Sequence, residues 1–375
     1  MLRGIKTIFQ IVLITTVFSC SNQTQNRITN TNNYPDFLNQ FETIKFKGDG
    51  EILKVIEKNG FYYCQRRVSK HSNKNICFRI EITKKSNNEI VDSFLVPEEL
   101  TITSFYPEDT KNIYFIRPTT GELYLFKTEN QEISKIGHYP MYDQIQYVKN
   151  NLIILGSLEG FMIIKLPELE TSITKHRSNV PFNSQMEMFF DSGNLYVSGL
   201  LDNSFKTGKK LVCYQIDELP NSKWEVPISN KYSHHLEVHN NRLYSLTSPF
   251  NKAGSTLKCL NLNGKVLNSI NQERRHSGFL SFKDCIVYFS HYSIKCVSLN
   301  LENKFWEIPR TDFYPKVRVF KISDELYIYD TKRFTVEKIN KKTGEVSNSY
   351  FLDPTGVDTR NNMFRVGKQM IVSPK

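Results

Sequence analysis

Short apolar segments recur along the chain from residue 50 onward, and most of them are preceded by a polar turn. Eight such segments begin at Phe61, Ile113, Leu152, Leu195, Leu243, Ile286, Leu326 and Met370. Their first residues are 52, 39, 43, 48, 43, 40 and 44 positions apart. Turn residues such as Asn59-Gly60 and Ser192-Gly193 stand before them, and these residue types tolerate the tight turn between two strands. The pattern therefore indicates a repeated β-structure.

A second repeated segment follows several of these strands and reads cysteine, apolar, polar, Ile or Leu, then acid or amide. It begins at Cys77, Cys213, Cys259 and Cys296, and a fifth copy begins at Val336. A turn and a further strand come next, as in residues 263–267, and one more candidate strand, such as residues 317–320, precedes several units. Four short strands in each unit of roughly 40–50 residues are typical of a β-propeller blade. Blades cannot bury their apolar faces alone, so neighbouring blades stack around an axis.

The predicted fold is therefore all-β, a propeller of eight blades with mostly four antiparallel strands each, and seven blades is the alternative. Seven units are complete, whereas the last two strands, residues 363–366 and 370–372, make half a blade. We expect residues 43–46 to supply a missing strand, because pairing the two termini in one blade removes an open sheet edge. A single propeller domain over residues 37–375 is predicted. The competing interpretation is a non-repeating β protein whose strands are similar by chance.

Two units have the same ending, KWEVP at residues 223–227 and FWEIP at residues 305–309, and another ends in a Lys-Thr-Gly-Glu-Val segment at residues 342–346. These endings resemble those of PQQ-like, or quinoprotein-type, β-propeller repeats. The resemblance implies that Trp224 and Trp306 dock one blade on the next. Asn268 and Asn348 stand about where other units of such a propeller carry the tryptophan.

The first 20 residues consist of a basic start, an apolar run and a cysteine. Arg3 and Lys6 precede residues 8–17, which are apolar apart from Gln10 and two threonines. This arrangement is typical of a secretory signal, and the run is too short to cross a bilayer as a permanent helix. An ordinary signal peptide, in which Cys20 occurs by chance, is the alternative.

The Ser19-Cys20 step at the end of this run resembles the lipobox of bacterial lipoproteins. The resemblance implies a signal peptide over residues 1–19, acylation of Cys20, and a lipidated flexible tether over residues 20–36, whose polar composition suits a tether. Ser21 after the cysteine, with no acid before Asp36, implies an outer-membrane anchor that faces the periplasm. A lipidated propeller also resembles the scaffold lipoprotein of the outer-membrane β-barrel assembly machine.

The chain is basic, with 49 Lys and Arg against 38 Asp and Glu and a formal net charge of +11. Outside the cytoplasm, this charge favours anionic lipids, an anionic envelope polymer or an acidic protein as partners, rather than nucleic acid. Arg274, Arg275 and His276 stand together and form a candidate contact loop, in which the arginines would bind an acidic partner by charge-assisted hydrogen bonds. A solvated turn is the plainer interpretation of this segment.

Six cysteines remain after Cys20, in a compartment where disulfides form. Cys64 with Cys77, and Cys285 with Cys296, fall on consecutive strands of one unit and are candidate disulfides. The alternative is that the cysteines are small hydrophobes packed between blades, because four of them share one repeat position.

No motif in the sequence identifies a reaction. The serine elbow of the α/β hydrolases, the phosphate-binding glycine loop and the calcium loop are all absent. His235 and His239 lie on and beside an apparent strand, where four residues span about 13 Å, too far for one zinc ion. We therefore assign no catalytic residue, no metal and no cofactor.

The leading hypothesis is a monomeric, non-catalytic scaffold or binding propeller, anchored by lipid in a bacterial cell envelope. Its partner would be an envelope protein or an anionic polymer. The alternative is a carbohydrate-active lyase or hydrolase with its site in the central channel. Such an enzyme should gather His, Tyr, Arg and carboxylates with perturbed pKa values at one mouth of the channel.

Overall fold

The computed structural model describes residues 35–374 apart from a set of internal gaps. The gaps are residues 47–49, 70–75, 98–99, 101–103, 141, 150, 158–159, 167–168, 176–186, 202–208, 220, 230, 250–253, 273–275, 291, 310–316, 332, 353–356, 359–364 and 367–368. The predicted signal peptide, Cys20 and most of the predicted tether lie outside the described residues.

Seven blades follow one another along the chain, and each is a four-stranded antiparallel sheet with its strands in sequence order. Blade 1 comprises β2 (Glu51–Lys58), β3 (Phe61–Ser69), β4 (Ile76–Lys84) and β5 (Ile90–Leu95); blade 2 comprises β6 (Ser104–Pro107), β7 (Asn112–Arg117), β8 (Glu122–Lys127) and β9 (Glu132–His138). Blade 3 comprises β10 (Gln144–Lys149), β11 (Leu152–Ser157), β12 (Gly160–Lys165) and β13 (Glu170–Lys175); blade 4 comprises β14 (Glu187–Asp191), β15 (Asn194–Leu201), β16 (Lys209–Gln215) and β17 (Ser222–Ser229).

Blades 5 to 7 complete this series. Blade 5 comprises β18 (Lys231–His239), β19 (Arg242–Pro249), β20 (Ser255–Asn261) and β21 (Val266–Gln272); blade 6 comprises β22 (His276–Ser281), β23 (Cys285–Ser290), β24 (Ser293–Ser298) and β25 (Lys304–Pro309). Blade 7 comprises β26 (Val317–Ile322), β27 (Glu325–Asp330), β28 (Thr335–Ile339) and β29 (Val346–Phe351). Among the described residues, the 3-10 helices Phe37–Gln40 and Ile216–Glu218 lie outside the sheets.

Blade 8 joins the two ends of the chain. Its sheet order is β30 (Val357–Asp358), β31 (Arg365–Val366), β32 (Gln369–Pro374) and then β1 (Phe41–Lys45). β1 runs antiparallel to β32, with Thr43 opposite Ile371 and Ile44 opposite Met370. The eight-bladed propeller and its closure by the N-terminal strand are thus confirmed.

One detail of the predicted closure was wrong. The C-terminal segment supplies three strands of blade 8 rather than half a blade, so β32 is a third strand and β31 a second strand. The first two strands are only two residues long each, and so short a pair leaves no apolar alternation from which to predict it.

Tight turns explain where the first hairpins of blades such as 1 and 4 form. Lys58 pairs with Phe61 and Asp191 with Asn194, which leaves two residues in each turn. Asn59 and Gly60 have φ values of 51° and 79°. Positive φ at both central residues is the type I′ geometry, whose twist matches that of the strands it joins.

The core is divided among the interfaces between neighbouring blades. First strands of neighbouring blades contact each other, as β6 contacts β10 and β14 contacts β18. The first strand of each blade therefore lies nearest the axis. The second strand carries most of the buried side chains: Ile153, Ile154 and Leu155 of β11 are all fully buried. Alternate residues of this strand face opposite neighbours, so Ile154 packs with blade 4 and Leu155 with blade 2.

The fourth strands carry a repeated contact with the following blade. Trp224 of blade 4 and Trp306 of blade 6 occupy the same register position, opposite Cys213 and Cys296 and next to a β-bulge. Their indole N–H groups donate to the carbonyl oxygens of Leu262 at 2.8 Å and Lys341 at 2.7 Å, in the next blade. Each ring lies on a turn glycine with positive φ, Gly264 or Gly344, and a Cβ there would be 2.7–2.8 Å from a ring carbon.

Asparagine replaces tryptophan at this position in two other blades. Asn268 is opposite Cys259 and Asn348 is opposite Lys338, which is the register that the sequence pattern indicated. The Asn268 Nδ2 group donates to the Asn300 carbonyl oxygen of blade 6 at 3.1 Å. The shorter side chain thus keeps the hydrogen bond between blades and loses the ring contact.

Candidate functional site

Polar side chains form a row on the first strands of blades 4 to 7, beside the central channel. Glu187 begins β14, His235 and Glu237 lie on β18, Ser281 ends β22, and Lys321 lies near the end of β26. Because these strands line the axis, residues that are far apart in sequence come together there. A β-bulge between Ser233 and His235 sets the register of the β18 residues.

Direct contacts link the members of this row. The His235 Nε2 atom lies 3.5 Å from Glu237 Oε2, and the Ser281 hydroxyl donates to Glu237 Oε1. The Lys321 ammonium donates to the Ser281 carbonyl oxygen at 2.6 Å. The His235 ring also meets the edge of Phe279, with centroids 4.4 Å apart. The row is therefore continuous from blade 5 to blade 7.

The two carboxyl groups of the row have opposite pKa shifts. Burial raises the pKa of Glu187, and the nearby His235 offsets only part of that effect. Burial also acts on Glu237, but hydrogen bonds from His235 and Ser281 outweigh it and lower the pKa of that carboxyl. Environments that push the pKa values of two carboxyl groups apart are a feature of acid–base sites. The row is thus a candidate site for chemistry as well as for binding.

A cavity of about 390 Å³ lies at the turns between the first and second strands of blades 1 to 4. Its lining includes Lys58, Glu108, Asp191 and the side chain of Tyr147, which stacks on Phe190 with centroids 4.5 Å apart. The size is within the range of small-molecule sites. Acidic, basic and aromatic groups thus meet at this mouth of the channel.

Lys58 is the most perturbed cation of this cavity. Its ammonium donates to the Val148 carbonyl oxygen at 3.1 Å, across to blade 3, and lies 4.2 Å from the centre of the Tyr106 ring. Burial lowers its pKa to about 8, against the attraction of Glu108 and Asp109. Lys58 therefore connects blades 1 and 3 and titrates within reach of physiological pH.

None of the six cysteines of the described residues is in a disulfide, and all six are buried. The candidate disulfide Cys64–Cys77 is wrong, because Cys64 pairs with Glu81 while Cys77 pairs with Val68, four residues away along the ladder. Cys285 and Cys296 are closer: Cys285 is opposite Ser298 and Cys296 is opposite Val287, so the two lie diagonally on one face. The neighbouring Cys285 thiol and burial both raise the pKa of the Cys296 thiol. A disulfide between these two cysteines stays a prediction.

The proposed shared repeat position of the cysteines holds for three of them. Cys213, Cys259 and Cys296 each precede the bulge in the third strand. In blade 1 that position is Ile82 rather than Cys77, and in blade 7 it is Lys338 rather than Val336. The sequence motif therefore aligned Cys77 and Val336 with Cys213, although each lies two or more residues before the equivalent position. The strand pattern is the same on either side of the bulge, so it did not reveal the difference.

The candidate contact loop is only partly described. Arg274 and Arg275 lie outside the described residues, and His276 begins β22, where it pairs with Ser290. Cys20 also lies outside them. The sequence did not single out Glu187 or Glu237, because their grouping depends on strands about 50 residues apart.

Metal-ligand clusters and membrane-spanning helices are both absent from the described part of the chain. No group of three or more His, Cys, Asp and Glu residues there is placed to hold a metal ion. His239 instead contacts the Phe282 carbonyl oxygen at 2.8 Å through its Nε2 atom, away from His235. No helix among these residues has the length and apolar character to cross a membrane.

No protein-family model matches the chain, and no curated protein matches it by sequence. Solved structures are similar in fold. BamB from Moraxella catarrhalis matches with a TM-score of 0.55 at 11% identity, over 88% of this chain and 95% of that chain. Hsv2 of Kluyveromyces lactis with loop 6CD replaced by a Gly-Ser linker matches with a TM-score of 0.50 at 10% identity, over 81% of this chain and 100% of that chain.

A third similar structure is dihydro-heme d1 dehydrogenase NirN in complex with DHE. It matches with a TM-score of 0.50 at 11% identity, over 86% of this chain and 68% of that chain. At these identities the likeness concerns the fold, and fold alone does not assign function. The chain is thus an eight-bladed β-propeller with the architecture of BamB, a PQQ-like repeat propeller.

Proposed function

We propose that this protein is a lipid-anchored scaffold propeller of a bacterial cell envelope, which holds a partner protein near the membrane. The observation that carries the proposal is the fold correspondence with BamB, which extends over 88% of this chain and 95% of that chain. The basic and apolar N-terminal sequence ending at Cys20 supports the anchor. An outer-membrane location facing the periplasm follows from the residues after that cysteine and is part of the same proposal.

The position of β1 suits a tethered ring. β1 is the outermost strand of blade 8, and the segment before it runs beside the outer strand of blade 7, where Asp36 bridges to Phe351. The Phe351 N–H also donates to the Pro35 carbonyl oxygen at 2.9 Å. The covalent connection from Cys20 would therefore join the propeller next to the outer strands of blades 7 and 8.

The partner surface that we propose is the segment around Arg274 and Arg275. This segment connects β21, the outer strand of blade 5, to β22, the inner strand of blade 6. Two guanidinium groups there would bind an acidic protein or an anionic polymer.

Two measurements test this proposal. Mass spectrometry of the mature N-terminal peptide should find Cys20 as the first residue, with acyl chains attached. Cross-linking in intact cells, followed by detergent extraction, should recover a stable partner, and the Arg274→Ala/Arg275→Ala variant should lose it.

A matched control removes the same charge elsewhere. Lys127 and Arg333 are exposed cations on blades 2 and 7, each in a surface ion pair. The Lys127→Ala/Arg333→Ala variant should keep the partner. Recovery of the extracted wild-type protein alone would contradict the scaffold role, and equal loss in both variants would remove Arg274 and Arg275 from the contact.

The channel row favours a second candidate, a lyase or hydrolase acting on an envelope carbohydrate. Glu187, with its raised pKa, would act as the acid, and Glu237, with its lowered pKa, as the base. Turnover of any member of a panel of envelope glycans, abolished in Glu237→Gln, would establish this alternative. A panel in which no glycan is bound and none is turned over would reject it.

A further inference from the structure

The cavity at the turns of blades 1 to 4 is held together by hydrogen bonds between those blades. The Lys58 ammonium donates to the Val148 carbonyl oxygen at 3.1 Å and so joins blade 1 to blade 3. The Asn59 Nδ2 group donates to the Glu108 carbonyl oxygen at 3.1 Å and joins blade 1 to blade 2. All four residues line the cavity. Because a preorganised site needs little further ordering when a ligand binds, this cavity is suited to hold one.

An aromatic pair forms the apolar part of the lining. Tyr147 of β10 and Phe190 of β14 stack with their ring planes 14° apart, and both residues line the cavity. Both are only partly buried, and Ile216 adds a further apolar side chain to the lining. The face of an aromatic ring is negative, so it attracts the weakly positive C–H groups of a ligand. The pair therefore favours a ligand with one face made of C–H groups.

The polar part of the lining carries balanced charge. Lys58 and Lys149 supply two cations, and Glu108 and Asp191 supply two anions. Burial lowers the pKa of Lys58 and raises the pKa of Glu108, so the balance is kept if both lose their charge. Among the described residues, none forms an ion pair with Lys149 or Asp191, whose charged groups are thus available to a ligand. Hydroxyl groups both donate and accept, so a neutral ligand with several hydroxyls matches this lining better than an ion does.

We propose that this cavity binds a neutral pyranose sugar. The C–H face of the sugar ring would lie on the wall of Tyr147 and Phe190. Its hydroxyls would donate to the Asp191 carboxylate and accept from the Lys149 and Lys58 ammonium groups, and hydrogen bonds to charged groups are the stronger kind. A cavity of about 390 Å³ is large enough for one such ring.

The proposed sugar site is separate from the other two proposals. It lies in blades 1 to 4, whereas the contacts of the channel row run from blade 5 to blade 7. It does not include Arg274 or Arg275. The sugar site and the scaffold role can therefore each fail without the other.

The test is a saturation-transfer NMR titration of the detergent-solubilised full chain with D-glucose, D-galactose, D-mannose and N-acetyl-D-glucosamine. At least one of these sugars should bind saturably with a Kd in the millimolar range or below, as expected for a ligand of this size. The charged probes D-glucosamine and D-glucuronate should bind more weakly than the best neutral sugar. The proposal would be overturned if no neutral sugar bound with a Kd below about 10 mM, or if a charged probe bound more tightly.

Substitutions place the bound sugar in the cavity. Phe190→Ala removes half of the aromatic wall and should raise the Kd at least about fivefold. Phe189→Ala is the matched control, because Phe189 is also partly buried but packs in the interface between blades 4 and 5; it should leave the Kd unchanged. Asp191→Asn keeps the shape of the side chain and should also raise the Kd, because a neutral acceptor makes a weaker hydrogen bond.

The same variants can contradict the site. An equal Kd in the wild type and in Phe190→Ala, or an equal increase in Phe189→Ala and Phe190→Ala, would reject the cavity as the binding site. Binding that survives in Phe190→Ala but is lost in Glu237→Gln would place the sugar at the channel row instead. Far-UV circular dichroism of each variant should match that of the wild type, and Asp191→Asn decides the matter if Phe190→Ala does not fold.

Discussion

The contact between tryptophan and glycine across neighbouring blades can be measured with four alanine substitutions. Gly344 and Gly264 have φ values of 78° and 82° and lie against Trp306 and Trp224. Gly60 and Gly193 both have a φ of 79°, but a Cβ at either would meet nothing within 4 Å. All four substitutions therefore impose the same backbone strain, and only the first two also displace a tryptophan.

The expected costs follow from this difference. An L-residue in the left-handed region costs roughly 1–2 kcal/mol, so Gly60→Ala and Gly193→Ala should each lower the free energy of unfolding by about that amount. Inserting a methyl group into a packed contact costs about 1–3 kcal/mol more. Gly344→Ala and Gly264→Ala should therefore cost about 2–5 kcal/mol in total.

Urea unfolding followed by far-UV circular dichroism gives these free energies, and indole fluorescence reports the contact itself, because Trp224 and Trp306 are the only two tryptophans of the chain. In a double-mutant cycle, Gly344→Ala should cost no more than Gly193→Ala once Trp306 is alanine. Equal costs for all four glycine substitutions in the wild-type background, within about 0.5 kcal/mol, would refute the docking argument.

Three further predictions concern buried ionisable groups. Glu81→Ala should lower the free energy of unfolding by about 3–5 kcal/mol, because it removes the carboxylate that lies 3.4 Å from the fully buried Arg66 guanidinium. Glu51→Ala, which breaks an exposed pair, should lower it by less than about 1 kcal/mol in the same urea assay. Lys58→Met should raise the free energy of unfolding at pH 7. This increase should shrink as the pH rises above about 8, because the folded wild type then loses the proton whose burial is unfavourable. An increase that grows with pH would contradict the lowered pKa of Lys58. Cys213, whose pKa burial raises to about 11, should resist alkylation at pH 8 in the native protein and react in urea, as mass spectrometry of its peptide would record.

The sequence predicted the repeat well because the second strands of blades 1 to 7 are mostly buried on both faces. That burial requires a run of apolar residues such as Ile153 to Leu155, and the run survives insertions in the turns. The closing strand was predictable because pairing the two termini removes an open sheet edge, and its Ile44 packs against blade 1. The equivalence of Trp224 and Asn268 could be predicted because each residue follows a turn by a similar number of positions.

The sequence was less informative where bulges or short strands intervene. A bulge shifts the pairing by one residue, and so the motif beginning at Cys77 was aligned with that beginning at Cys213, although Ile82 occupies the equivalent place. The candidate site depends on contacts between blades, as between Ser281 and Glu237, and no local pattern encodes them.

Closure of the ring by the N-terminal strand is the claim on which both the fold and the proposed tether depend. Hydrogen exchange of the β1 amides, followed by mass spectrometry of the peptide containing Thr43 and Ile44, tests it most directly. Those amides that bond to β32 should exchange only as fast as the whole propeller unfolds, as the amides at the centre of β11 should. Exchange of the β1 peptide at the rate of an unstructured chain, with β11 still protected, would contradict the account.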